Sequence, residues 1–372
     1  MDFAFSPEQD ELRAQARRFM TDRFPAEKVV EVTEWIDTVD EPELEFLDKV
    51  AWSHIAELGW IGLSASEDAG GSGMSFVDEA VLLEELGYAL YPGPYLSTVG
   101  LALPALERQP DALERVVLGH ASATASWRLF DGSPPTLRAV RSDDDWKITG
   151  SEALIPDLWE NTFVVVAADA PGGVALFLLD MDEVYEGKTR RMGTMDATRR
   201  LSDIRPEEDG TAATLLSEPG EPTESLLHGM RLRALTAAAL EAVGVAQRAL
   251  DLAKVHVTER RQFDRPIGSY QAVSHQVADT YMEVELARSL SYWAAWCVAE
   301  SDPQAEVAAA AAKASAAPAA IAACERAIQV HGGIGFTWEH ILHRYYKRAQ
   351  WLESFGGTAR KHRAAIAEVV LR

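Results

Sequence analysis

The chain has 372 residues, of which 47% are hydrophobic and 25% charged, and this ordinary globular composition argues against a disordered chain. Its length predicts two or three domains. The formal net charge is −23 at pH 7. A surface this acidic repels phosphate backbones and anionic lipids, so we expect neither a nucleic-acid partner nor a membrane partner.

Cysteine and histidine usage argues against metal and disulfide chemistry. The sequence has two cysteines, Cys297 and Cys324, and its nine histidines are scattered without a His-Glu-x-x-His pattern. We therefore expect no metal site and a reduced compartment. The N-terminus shows no basic region followed by an apolar stretch, so the expected location is the cytoplasm.

Residues 1–118 are expected to form an α-helical domain. Ser6 is a candidate N-cap before Pro7, and acidic residues follow in the first helical turn. Amphipathic or apolar runs predict further helices over 44–58 and 78–90. The glycine-rich stretch 67–73 has no Lys-Ser/Thr ending and no preceding strand pattern, so it is interpreted as a turn and not as a phosphate-binding loop.

Residues 119–220 are expected to form a small antiparallel β barrel or sandwich. Short runs rich in β-forming residues are separated by Gly, Pro and Asp, and two of the intervening turns suit hairpins. The predicted strands cover 123–130, 137–141, 146–149, 162–168 and 174–179.

Residues 221–372 are expected to form a four-helix bundle. Small apolar residues recur at helical spacing from Leu235 to Ala253, which is typical of a helix packed closely against others. Further helices are predicted over 270–300 and 305–330 and from Trp338 onward, the last interrupted at 356–357. The predicted fold class is thus α+β, mostly α.

Two C-terminal segments carry candidate chemistry. The segment 259–268 gathers three arginines at a helix end, which indicates either an anion site or cations stabilising a helix C-terminus. The segment 329–340 contains glycines that would let a backbone approach a ligand, or that simply terminate a helix. The residues considered separately leave both alternatives open.

Together, and in this domain order, the two segments resemble the acyl-CoA dehydrogenase family over essentially the whole chain. The resemblance implies FAD held between the β domain, its own bundle and the bundle of a neighbouring subunit. It also implies α,β-dehydrogenation of an acyl-CoA thioester, with an electron-transfer flavoprotein as acceptor. The residues it assigns to the cofactor are Arg260, Gln262, Phe263, Gln271, Gln329, Val330, His331, Gly332, Gly333 and Thr358.

The catalytic carboxylate of the family is missing from its usual places. The family's Tyr-Glu-Gly-Thr motif corresponds to 355–358 here, which puts Gly356 at the glutamate position. The alternative family position falls near Ala234. Glu241 is the remaining candidate, because it is the only charged residue in the apolar run between Ala234 and Gln247. It is either a general base or a structural carboxylate paired with an arginine such as Arg248 or Arg326.

The flavin-facing part of the predicted β domain departs from the family pattern as well. The segment 127–133 replaces the usual Thr-Glu-Pro-x-Ala-Gly-Ser-Asp, and Leu154 and Pro156 replace an aromatic residue and a hydroxyl. Since proline has no N–H to donate, this position cannot hydrogen-bond a flavin through its amide.

Three hypotheses follow from this pattern. The first is a heteromeric, α2β2 acyl-CoA dehydrogenase in which this chain contacts the FAD of a partner subunit that supplies the base, with a steroid side-chain CoA ester as a compatible substrate. The second is a homo-oligomeric enzyme that uses Glu241. The third is an acyl-CoA-binding or scaffold protein without catalysis.

Overall fold

The computed structural model describes residues 5–38, 46–142, 145–159, 162–184, 189–207 and 209–371. Its helices follow the predicted order of a helical region, a β region and a helical C-terminal region. In chain order they are α1 (Pro7–Arg23), α2 (Ala26–Thr38), α3 (Phe46–Lys49), α4 (Trp52–Glu57), α5 (Phe76–Tyr88), α6 (Leu103–Leu106), α7 (Pro110–Val117), α8 (Arg128–Asp131), α9 (Met181–Val184), α10 (Glu221–Glu259), α11 (Gln271–Ala299), α12 (Ala305–His331), α13 (Leu342–Ser354) and α14 (Ala359–Val370).

The strands of the β region fall into two sheets, and a short hairpin lies further along the chain. In chain order they are β1 (Ser122–Ala125), β2 (Leu137–Ser142), β3 (Asp145–Gly150), β4 (Glu152–Pro156), β5 (Thr162–Ala170), β6 (Gly173–Asp180), β7 (Thr189–Met192), β8 (Leu201–Ile204), β9 (Thr211–Ser217), β10 (Arg261–Gln262) and β11 (Arg265–Pro266).

The chain divides into two compact units that cut across the three predicted domains. Unit 1 comprises 1–31, 76–91 and 235–372, and unit 2 comprises 32–75 and 92–234. The boundaries predicted between the three domains, after residues 118 and 220, remain predictions. Helices α1 and α5 belong to the same unit as the C-terminal bundle because their apolar faces pack within this unit. The predicted domains follow the chain order and therefore did not group these helices with the bundle.

The N-terminal helix begins as the sequence predicts. The Ser6 side chain accepts a hydrogen bond from the Gln9 amide, and the Gln9 side chain accepts one from the Ser6 amide, a reciprocal capping box. The helix predicted over 44–58 is instead two helices, α3 and α4, separated by Ala51, whose φ is +54°. Residues 44 and 45 lie outside the described residues.

The β region is a closed barrel with a second small sheet. The strands β5, β2, β3, β9 and β6 pair in a ring, and β1 joins the edge of β5. The other pairings of the barrel are antiparallel as predicted, but the pairs β1–β5 and β2–β5 are parallel, which the sequence did not indicate. A separate sheet has the order β4-β8-β7. These three strands and β9 were missed, because they are short and show no clear alternation of apolar and polar residues.

The strand predicted over 123–130 ends early. β1 stops at Ala125, and the next residues turn into the short helix α8. The hydroxyl of Ser126 accepts a hydrogen bond from the Arg128 amide, a local contact that favours a turn over an extended strand.

The long helices of unit 1 pack with little space between them. At Gly244 of α10, an added Cβ would lie 2.0 Å from the carbonyl oxygen of Glu84 in α5, and at Gly87 it would lie 2.3 Å from the carbonyl oxygen of Glu241. The two backbones therefore touch because neither glycine has a side chain. Helix α12 is long and apolar enough to cross a membrane, but 67% of its apolar window is buried inside the protein.

We predict that Gly244→Ala destabilises the protein by about 1–3 kcal/mol or more, because the new methyl group overlaps the α5 backbone. Thermal unfolding followed by circular dichroism measures the effect. Gly229→Ala in the same helix is the matched control. A Cβ at Gly229 meets nothing within 4 Å, so this variant should gain about 0.5–1 kcal/mol from helix propensity. Equal responses of the two variants would contradict the close packing.

Candidate functional site

The three-arginine segment forms a projecting β hairpin. Helix α10 ends at Glu259, and the pairs Arg261–Pro266 and Gln262–Arg265 form its two-residue ladder. Phe263 and Asp264 form the turn with φ values of +52° and +65°. The Phe263 side chain is 88% exposed. The hairpin therefore presents an aromatic ring to its surroundings.

The turn of this hairpin is strained. A two-residue hairpin turn with two positive φ values favours Asn and Gly, and here neither residue is glycine. Phenylalanine at positive φ costs on the order of 1–2 kcal/mol. Such strain concentrates at ligand-binding and recognition segments. The conformation is stabilised in part by Tyr270, whose hydroxyl donates to the Gln262 carbonyl at 3.2 Å.

A cluster of three histidines brings the two C-terminal segments together. The ring centroids of His256 and His331 lie 4.1 Å apart, and those of His331 and His340 lie 4.7 Å apart. His256 lies one helical turn before Arg260, so the end of α10 adjoins the end of α12. Burial, the neighbouring His331 and then Arg260 lower the pKa of His256. We call the hairpin and the residues 329–340 the distal patch.

Most of the predicted cofactor residues lie on the distal patch. Arg260 is exposed, and its guanidinium makes no hydrogen bond or ion pair within the described part of the chain. Gly332 and Gly333 are exposed, and a Cβ at either would meet nothing within 4 Å. Gln262 and Gln329 are also exposed, while Val330 and His331 are half-buried.

Two predicted residues lie on other elements. Gln271 is the first residue of α11, just beyond the hairpin. Thr358 is the exposed N-cap of α14 and follows the turn at 356–357. Sequence reasoning missed the aromatic character of the patch. Ile334, Phe336 and Trp338 are 53%, 67% and 69% exposed, which is unusual for such large apolar side chains.

Glu241 is buried in an ion pair. Its side chain accepts a hydrogen bond from Nη1 of Arg348, and the two residues are 3% and 0% exposed. The predicted partners were wrong, because Arg248 hydrogen-bonds the Tyr88 hydroxyl and Arg326 pairs with Glu283. Arg348 escaped sequence reasoning because it is one of several basic residues on α13 and is 107 residues away from Glu241.

The turn at the family's base position is tight around Gly356. Gly356 has a φ of +66°, and an added Cβ would lie 2.6 Å from Cδ2 of Leu235. The ammonium group of Lys313 fixes this turn by donating to the carbonyls of Glu353 at 3.2 Å and Gly357 at 3.1 Å. Burial lowers the pKa of Lys313 to about 8.

The flavin-facing positions of unit 2 are already occupied by internal hydrogen bonds. The carbonyl of Pro156 accepts from the Thr124 hydroxyl at 2.7 Å. Glu152, which is 2% exposed, accepts from Ser126 and Thr136 at 2.6 Å each and lies 3.2 Å from Arg128 Nε. A buried carboxylate and a proline offer acceptors where a flavin N5 and O4 need a donor. These residues do not fit an isoalloxazine ring.

Comparisons with known proteins agree with this architecture. Residues 6–109 match the model for the acyl-CoA dehydrogenase N-terminal domain, and residues 227–371 match that for the C-terminal domain. Acyl-CoA dehydrogenase IpdE2 of Mycobacterium tuberculosis is 33% identical over 314 residues, 82% of this chain and 83% of the relative.

Two solved structures are similar along nearly their whole length. A variant of the Tcur3481–Tcur3483 steroid ACAD is 30% identical with a TM-score of 0.83, and the match covers 98% of both chains. The ChsE4–ChsE5 complex from Mycobacterium tuberculosis has a TM-score of 0.84 at 24% identity over 100% of this chain and 99% of that one. At that identity the second similarity is one of fold.

We predict that Gly356→Glu lowers stability by about 2–4 kcal/mol, because it combines a positive φ with overlap on Leu235. In a Leu235→Ala background the added cost of the glutamate should fall to about 1–2 kcal/mol, the part due to φ alone. Thermal unfolding of all four proteins measures the difference. A glutamate tolerated equally well in both backgrounds would show that Leu235 does not close this position.

Proposed function

Because the chain belongs to the acyl-CoA dehydrogenase family, whose members are oxidoreductases, we propose that it is the non-catalytic subunit of a heteromeric member. In this role it contributes contacts to the FAD of a partner subunit, and the partner supplies the base. The observation that carries the proposal is the lack of an available carboxylate: the usual position is the closed turn at Gly356, and Glu241 is engaged by Arg348.

The side chains of the distal patch suit the diphosphate and adenine parts of FAD, whereas those of unit 2 do not suit its flavin ring. Arg260 offers several N–H donors, which match the oxygens of a diphosphate. The open glycines 332 and 333 allow a ligand to approach the backbone closely. The exposed rings of Phe263 and Phe336 offer faces on which an adenine can stack.

The work of this chain in the reaction is therefore binding and positioning. FAD, when bound, supplies the acceptor for the substrate hydride. Arg260 and the glycine-bearing turn would hold its diphosphate, while the exposed aromatic residues bury themselves against the partner. One of the family's two base positions holds Gly356 and the other falls near Ala234, and the carboxylate of Glu241 is buried against the guanidinium of Arg348.

The similar proteins support a heteromer and a steroid-type substrate. The solved relative that is 30% identical is a steroid ACAD whose name joins two proteins, Tcur3481 and Tcur3483. We accordingly propose an α2β2 assembly acting on a steroid side-chain CoA ester, with an electron-transfer flavoprotein as acceptor and a cytoplasmic location. The two buried free cysteines suit such a compartment.

We predict that the chain purified alone is colourless and inactive, and that coexpression with its partner yields a yellow, active complex. In that complex, Arg260→Ala should lower the affinity for FAD at least tenfold, because each hydrogen bond from a charged donor contributes about 1.5–3 kcal/mol. The readout is flavin absorbance after gel filtration, together with the dissociation constant for added FAD.

Arg205→Ala is the matched control for this experiment. Arg205 is also exposed, but it belongs to unit 2 and is not part of the distal patch. Full flavin occupancy and turnover in the isolated chain would overturn the proposal. Tight acyl-CoA binding with no flavin in any assembly would favour the scaffold hypothesis instead.

A second prediction separates the partner-base mechanism from a Glu241 mechanism. Replacing the ion pair by an apolar pair, Glu241→Leu with Arg348→Met, should leave stability nearly unchanged and turnover of the complex within about twofold. Buried ion pairs can often be exchanged for apolar pairs in this way. Glu241→Leu alone should cost about 3–5 kcal/mol, since it leaves Arg348 buried without its counterion. A folded, flavin-loaded double variant without turnover would make Glu241 the base.

A further inference from the structure

Unit 1 contains a cavity of about 360 Å³ that neither the distal patch nor the family motifs explain. It is bounded by the end of α1, the start of α2, the end of α5, one face of α10 and the start of α13. We call it the Arg248 pocket, and its lining residues used below are Arg17, Met20, Phe24, Val29, Tyr88, Ala89, Arg248 and Ile341.

The polar end of the pocket consists of Tyr88 between two guanidinium groups. The Arg17 ζ-carbon lies 3.4 Å from the centroid of the Tyr88 ring, and that of Arg248 lies 5.2 Å away. The charge of Arg17 is balanced by Glu85, which accepts two hydrogen bonds from it. The charge of Arg17 is therefore neutralised within the protein and is not available to a ligand.

Arg248 is not balanced in the same way. Its Nη1 donates to the Tyr88 hydroxyl at 3.1 Å, and that hydroxyl donates to Asp251 at 3.2 Å, while the side chain of Tyr345, which also lines the pocket, is a second hydrogen-bond partner of Arg248. No carboxylate of the described residues forms an ion pair with Arg248. A half-buried guanidinium that reaches a carboxylate only through a tyrosine retains donors and unbalanced charge for a ligand.

The remaining walls are apolar. Met20, Phe24 and Val29 are 1%, 4% and 1% exposed to solvent, and Ile341 closes the side formed by α13. Since a water molecule takes about 30 Å³ of liquid volume, the cavity has room for about a dozen heavy atoms. An apolar body with one charged end matches this distribution of side chains.

The surrounding charges favour a monoanion. Glu27 lies on the rim of the pocket, and Glu85 and Asp251 lie close to its two arginines. Each of these carboxylates repels an anionic ligand, so a second negative charge on the ligand is disfavoured. A carboxylate therefore suits the site better than a phosphate ester, which carries nearly two charges at neutral pH.

We propose that the Arg248 pocket binds a small amphipathic carboxylic acid, with its carboxylate on Arg248 and its apolar chain against Met20, Phe24 and Val29. The site is separate from the distal patch and does not depend on the function proposed above. It gives the chain a place for a free acid of modest chain length, in addition to any thioester handled by the assembled enzyme.

Isothermal titration calorimetry on the full-length chain tests this with three probes that share an eight-carbon chain: octanoate, octanol and octyl phosphate. We expect octanoate to bind at least tenfold more tightly than octanol, because only the carboxylate pairs with Arg248. Octyl phosphate should bind more weakly than octanoate. Arg248→Gln should weaken octanoate binding at least tenfold, and the exposed arginine variant Arg205→Gln should not change it.

Ala89→Phe provides an independent variant that keeps Arg248 and fills the cavity, since Ala89 lines it. This variant should also lose octanoate binding, and it decides the question if Arg248→Gln does not fold. Equal binding of octanoate and octanol, or octanoate binding that survives both substitutions, would overturn the assignment. Tighter binding of octyl phosphate would identify an anion site of a different specificity and would refute the carboxylate preference.

Discussion

The ion pair between Glu241 and Arg348 is the interaction on which the functional interpretation of unit 1 depends. Both side chains are removed from water, so each charge is tolerable only because the other is there. The pair joins α10 to α13, and Arg348 also lies 3.4 Å from the Tyr91 carbonyl beyond α5. A carboxylate held in this way joins two helices, which supports the proposal that the base comes from the partner subunit.

The same unit concentrates further charge in its interior around α5. Glu84, buried between helices, accepts hydrogen bonds from Arg13, Arg288 and the Tyr292 hydroxyl. Against the cost of burial, these positive neighbours hold the pKa of Glu84 below its ordinary value. The buried charged side chains around α5 are therefore paired with side chains of opposite charge. Arg248 differs from them because it forms no ion pair with a described residue.

Much of the fold was predictable from local signals, and the failures have physical causes. The capping box at Ser6 and the long bundle helices depend on residues a few positions apart, so the sequence shows them directly. The parallel pairing of β1 with β5 depends on contacts forty residues apart and leaves no local pattern. The partner of Glu241 could not be found for the same reason, since the ion pair spans 107 residues.

The sequence allowed the candidate site to be named as a set of residues, but not its geometry. The glycine at 356 is visible in the sequence, whereas its positive φ and the closing contact with Leu235 are not. A glutamate at this position would meet both features, because the positive φ disfavours a side chain and the end of the Leu235 side chain would have to move. The hairpin at Phe263, in contrast, is exposed and not packed against a neighbouring side chain in the way that the Gly356 turn is. It keeps a strained turn and a ring that is 88% exposed, although the exposed ring gains little from its own fold. A glycine at the family's base position together with a strained, exposed hairpin is the combination expected of a chain that contacts another molecule, as proposed above.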